Sequence, residues 1–134
     1  MIKEPVVILA NGDYPSHPTP VQTIQETNCI ICCDGAVSEL EANELVPDII
    51  IGDIDSLSNE NKLKYKDRII EIADQSQNDF RKTLNYARDN NINNITIIGA
   101  TGKREDHTLG NPLRHVLMVG VRICVCACFL CCAK

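Results

Sequence analysis

The chain of 134 residues has no basic cluster: its lysines and arginines are scattered, and its formal net charge is -5. That excludes a nucleic-acid surface, because binding to a phosphate backbone depends on gathered cations. An anionic substrate would need a cation as intermediary. No secretory pattern opens the chain, since Met1-Ile2-Lys3-Glu4-Pro5 carries a charge of each sign and a proline before the first apolar run. A cytoplasmic location is expected. There is also no evenly spaced cysteine framework. Cys29, Cys32 and Cys33 lie in an apolar segment, while Cys124, Cys126, Cys128, Cys131 and Cys132 crowd the end. The first three read as reduced core thiols. No repeat or low-complexity segment appears before residue 112. This length accommodates one domain with its own core and leaves no room for a second full one.

Short runs rich in Val and Ile recur at Val6 to Leu9, Cys29 to Cys32, Asp48 to Ile51, Arg68 to Ile72 and Ile95 to Ile98. Their continuity predicts strands buried on both faces. Helical spacing separates them, most clearly from Asp79 to Asn90, where Phe80, Thr83, Leu84 and Ala87 share a face and Asn78 or Asp79 can cap the start. Glu39 to Asn43 and Ser58 to Lys66 are weaker helices. Pro15 to Pro20 is a proline-rich loop before a helical turn near Val21 to Glu26. Alternating strand and helix predict an α/β fold, an open, mostly parallel, Rossmann-like sheet with helices on both faces.

Ligands of such sheets bind outside the carboxyl ends of the strands. The polar, glycine-bearing segments sit there: Asn11-Gly12-Asp13, Asp34-Gly35-Ala36, Gly52 to Ser56, Asp74 to Asp79 and Gly99 to Gly102. Asp53 and Asp55 are two apart at the end of an extended strand, so their side chains should point the same way and could share a cation. Magnesium suits them, because it takes one or two carboxylates and completes its shell with water and substrate phosphates. A turn whose Asp and Ser cap the next helix fits the spacing equally well. Gly52 favours the ligand site, since glycine lets a ligand approach the backbone. Asp79 is a third carboxylate, or a helix cap; Lys82, one turn on, is near enough to a phosphate at the helix N-terminus, or is a solvated surface lysine. The loop Gly99 to Thr108 combines two glycines, a hydroxyl and two cations, a composition that can wrap phosphate. It lacks the Lys-Ser/Thr ending of a Walker A loop. His107 is better suited to orienting neighbours than to carrying protons.

Four motifs in order carry a family resemblance: Cys33-Asp34-Gly35-Ala36, the Gly-Asp-x-Asp-Ser element at Gly52 to Ser56, the Asp-Gln-x-x-Asn-Asp-x-x-Lys element at Asp74 to Lys82, and Gly-Ala-Thr-Gly-x-Arg-x-Asp-His-Thr-Leu-x-Asn at Gly99 to Asn111. With Asn11-Gly12, they make residues 5 to 111 resemble the thiamine pyrophosphokinase family. The resemblance implies that Asp53, Asp55 and Asp79 bind magnesium and serve catalysis. It implies that Asn11, Gly12, Asp34, Gly35, Lys82, Thr101, Gly102, Arg104, Asp106 and Asn111 surround the co-substrate ATP. The family's reaction moves pyrophosphate from ATP to thiamine, giving thiamine diphosphate and AMP, in a homodimer. Lys103 and Gly110 depart from the usual pattern.

The expected domain is residues 1–111, with residues 112–134 set apart as a tail. The family's β-rich C-terminal domain is not expected in that tail. From Val116 to Ala133 only Arg122 is charged, and this central arginine argues against a membrane span. The cysteines there lack the paired spacing of zinc sites. The abrupt change in composition reads as a truncated or frame-shifted end. Two other functions stay open: a fragment that binds Mg-ATP without transfer, and a haloacid dehalogenase-like phosphatase using Asp53 as nucleophile. The latter motif normally follows the first strand and has an apolar residue before the aspartate.

Overall fold

The protein is described by a computed structural model that covers residues 2–12, 14–16, 18–55, 57–72, 79–92 and 94–99 and the backbone of 121–123. Its strands are β1 (Val6–Leu9), β2 (Cys29–Cys33), β3 (Ile49–Gly52), β4 (Ile69–Glu71), β5 (Ile95–Ile98) and β6 (Val121–Ile123). They form one sheet in the order β4-β3-β2-β1-β5-β6, and every neighbouring pair is parallel. The apolar runs predict the first five strands to within a residue or two. β6 lies inside the segment that composition sets apart as a tail; its backbone pairs Val121 with Ile95.

β1 and β2 are buried throughout because both faces of the sheet are covered. Val6, Ile8, Cys29, Ile31 and Cys33 pack on one side with Phe80, Leu84 and Ala87 of α4 (Asp79–Asp89). Val7, Leu9, Ile30 and Cys32 pack on the other side with Ile24 of α1 (Pro18–Glu26) and with Val37 and Leu40 of α2 (Val37–Ala42). This alternation is the period of two along each strand. It follows from topology: β1 to β4 step across the sheet in one direction, and the connection through α4 returns over the opposite face to the far side of β1. The cysteines of β2 are buried and free, as expected of core thiols.

α1 begins at Pro18, inside the proline-rich stretch read as a loop. Prolines are tolerated there because the first-turn N–H groups have no intrahelical acceptor. α3 (Asn59–Lys64) buries none of its own residues and is capped by Ser58 Oγ, which accepts from Asn61 N at 3.1 Å. Tyr65, just beyond it, is buried and donates to Glu41 of α2. Among the described residues no helix is long and apolar enough to cross a membrane.

Candidate active site

β2 and β3 lie side by side with Cys33 opposite Ile51, so the residues that follow them leave the sheet together. Asp34 begins a tight helical turn after β2, Asp53 follows β3, and Asp79 opens α4. One carboxylate oxygen from each lies within 4.8 Å of the others. Asp34 is only 2% exposed, while Asp53 and Asp79 are half-buried.

Two backbone features make room for Asp34. A Cβ on Gly52 would lie 2.8 Å from Asp34 Cγ, so only glycine admits that carboxyl against β3. The close approach expected at this glycine is therefore made by a side chain of the chain itself. Ile54 has φ +75°, the left-handed region that a β-branched residue seldom enters. Its amide donates to Asp34 Oδ2 at 2.9 Å. Such conformations cost on the order of 1–3 kcal/mol and persist where the surroundings impose them.

The other oxygen, Asp34 Oδ1, is buried without a hydrogen-bond partner. Burial is the main cause that raises the Asp34 carboxyl to about 7, followed by the close approach of the Asp79 carboxyl, while the Ile54 amide works the other way. No donor reaches Oδ1, and a shared proton or a bound cation would satisfy it. Three converging carboxylates with one orphaned buried oxygen fit a hard divalent cation such as magnesium. Lys82 Nζ lies 3.5 Å from Asp79 Oδ1 and is 2% exposed, so it is an internal counter-charge and not a surface lysine. Thr83, fully buried, donates from Oγ1 to the Asp79 carbonyl at 2.8 Å and meets Cys33 Sγ at 3.5 Å.

Asp55 does not join the cluster of Asp34, Asp53 and Asp79. It is exposed, and its amide donates to Asp53 Oδ1 at 3.2 Å, closing a turn. Strand β3 ends at Gly52, and the left-handed Ile54 breaks the alternation on which the parallel pointing of Asp53 and Asp55 depended. The turn alternative is thus also realised, although Ser58 caps the following helix. Asp34 was expected beside the nucleotide; its place among the carboxylates depends on strand order and register, which spacing along the chain does not reveal.

At the ends of β1 and β2, the Asn11 carboxamide lies where a Cβ on Gly35 would stand, 2.3 Å from Nδ2. Gly12 N donates to the Gly99 carbonyl at 2.7 Å and ties the ends of β1 and β5 together. Gly99 has φ +76°, which a side chain would disfavour. Thr101, Gly102, Arg104, Asp106 and Asn111, together with His107 and the capping candidate Asn78, lie outside the described residues.

The family profile described as thiamin pyrophosphokinase, catalytic domain, matches residues 21–125 and so continues past Asn111. No curated protein matches the chain. Similar solved structures include thiamin pyrophosphokinase from Geobacillus thermodenitrificans, with TM-score 0.69 and 24% identity over 88% of this chain and 58% of that one. The Bacillus subtilis enzyme has TM-score 0.67 and 23% identity, covering 90% and 59%. That from Candida albicans has TM-score 0.65 and 19% identity, covering 89% and 58%. The chain therefore spans less than two thirds of the length of these structures. At these identities the likeness establishes the fold, and it is the profile, matching from α1 to beyond β6, that places this chain in the thiamin pyrophosphokinase family, within its catalytic domain.

Proposed function

We propose that the chain provides the nucleotide and metal half of an ATP:thiamine pyrophosphotransferase, which moves pyrophosphate from Mg-ATP to thiamine and releases thiamine diphosphate and AMP. The observation that carries this reading is the convergence of Asp34, Asp53 and Asp79 around an unpartnered buried oxygen, in a chain of this family. These three carboxylates would hold magnesium, which supplies charge neutralisation on the phosphoryl oxygens. Transfers of this kind depend on positioning and electrostatics more than on covalent chemistry by the protein. Asn11, Gly12 and Gly35 would border the nucleotide at the ends of β1 and β2. Lys82 and the first turn of α4 would face its phosphates. Thr101, Gly102, Arg104, Asp106 and Asn111 keep the nucleotide-binding roles that the family resemblance implies. Asp55, exposed and outside the three-carboxylate set, is the carboxylate open to accept the thiamine hydroxyl proton. The work would be cytoplasmic, with the homodimer of the family supplying the thiamine pocket.

Isothermal titration with Mg-ATP and with thiamine, combined with detection of AMP, tests the proposal. Binding of both ligands with AMP release is the expected result. Mg-ATP binding without thiamine binding or AMP would instead establish a nucleotide-binding fragment. The phosphatase reading of Asp53 gives way to the family match. Asp55→Asn should lower AMP release about 100-fold if the residue accepts the proton, while Mg2+ affinity is kept.

A further inference from the structure

Cys33 and Thr83 are fully buried, and each adjoins a carboxylate of the cluster without belonging to it. Cys33 immediately precedes Asp34 on β2, and Thr83 stands one helical turn after Asp79 on α4. Their side chains meet across the boundary between sheet and helix, Sγ to Oγ1, at 3.5 Å. The direction of this contact follows from the neighbouring bond. Thr83 Oγ1 has one proton, and the Asp79 carbonyl at 2.8 Å is only an acceptor, so that proton is committed to Asp79. The remaining donor is the Cys33 S–H. The result is a directed chain from Cys33 Sγ–H to Thr83 Oγ1 and from Thr83 Oγ1–H to the Asp79 carbonyl.

A threonine hydroxyl bonded to the carbonyl four residues back is ordinary in a helix. Here the same hydroxyl also accepts a hydrogen bond from the strand that leads into Asp34. Around this contact β2 and α4 pack through apolar side chains, which resist separation but give little direction to sliding. A hydrogen bond fixes both distance and orientation. We propose that Cys33 and Thr83 are positioning residues, a buried relay that sets the separation of Asp34 and Asp79 and thereby the divalent-cation affinity of the cluster. The proposal rests on the magnesium reading of that cluster.

Mn2+ titrated into the purified chain, with free ion followed by electron paramagnetic resonance, is the test. Partners that orient metal ligands are typically worth about 10- to 100-fold in affinity, and we expect about tenfold weaker binding for Thr83→Val and for Cys33→Ala. The double variant should be no weaker than either alone, because either change breaks the relay. Thr83→Ser, which keeps the hydroxyl, should restore wild-type affinity. Leu84→Ala supplies the contrast: it loosens α4 packing without touching the relay, and should lower the melting temperature while leaving Mn2+ affinity below melting unchanged. If Thr83→Val does not fold, Cys33→Ala reads the relay from its other end. Unchanged affinity in the variants, or strictly additive losses, overturns the inference while leaving the metal site intact. Failure of the wild-type chain to bind Mn2+ overturns the magnesium reading and the inference with it.

Discussion

Asp34 has one oxygen paired with the Ile54 amide and the other buried without a hydrogen-bond partner. Because its carboxyl is raised to about 7 in the folded chain, the folded state holds its proton more tightly than the unfolded state does. Stability of the metal-free chain should therefore fall as pH rises from the unfolded value near 3.8 through about 7. In Asp34→Asn that dependence should flatten, which urea unfolding at a series of pH values would reveal; an equally steep fall in the variant would assign it to another group. Gly52→Ala tests the same contact by steric means. The added methyl would stand 2.8 Å from Asp34 Cγ, and overpacking of this kind costs about 1–3 kcal/mol. A variant as stable as wild type, with unchanged Mg2+ affinity, would mean that Asp34 can move aside. Residue identity made Asp34, Asp53, Asp55 and Asp79 conspicuous as acids in glycine-bearing segments. It could not show that one left-handed isoleucine turns Asp55 away from the cluster.

The helices divide into those that carry the site and those that frame it. α4 brings Asp79, Lys82 and Thr83 to the cluster, and Phe80, Leu84 and Ala87 bury its other contacts against β2 and β3. Leu84→Ala should cost about 2–5 kcal/mol, as large-to-small changes in cores do. α3 buries none of its own residues, and its definable anchor at the start is the Ser58 cap. Ser58→Ala should lower stability by about 1 kcal/mol and leave Mg2+ binding unaltered. Denaturation curves and Mg2+ titration of both variants check these expectations together. α4 was readable because its apolar residues recur at helical spacing over eleven residues. Composition alone makes α1 too short, since prolines signal loops but are admissible in a first turn.

Across the whole molecule, a cation bound only by the folded state must stabilise that state. At about 100 times its dissociation constant, Mg2+ should add about 2.7 kcal/mol to unfolding, and a chelator should remove the gain. Asp53→Asn, with one carboxylate fewer in the cluster, should show much less of it; an equal gain in both chains would place the ion elsewhere. The sheet order that makes the cluster possible brings β2 beside β3 and returns α4 over the opposite face. Local sequence determined much of this protein: where the strands run, that they are parallel and doubly covered, and that acidic, glycine-bearing turns gather at one edge. Those features follow from hydrophobic continuity, periodicity and connection rules that act over short stretches of chain. Tertiary structure alone decided which carboxylates meet. Asp34, Asp53 and Asp79 are brought together by strand neighbours, register and helix placement, and these depend on contacts between residues as distant in sequence as Cys33 and Thr83.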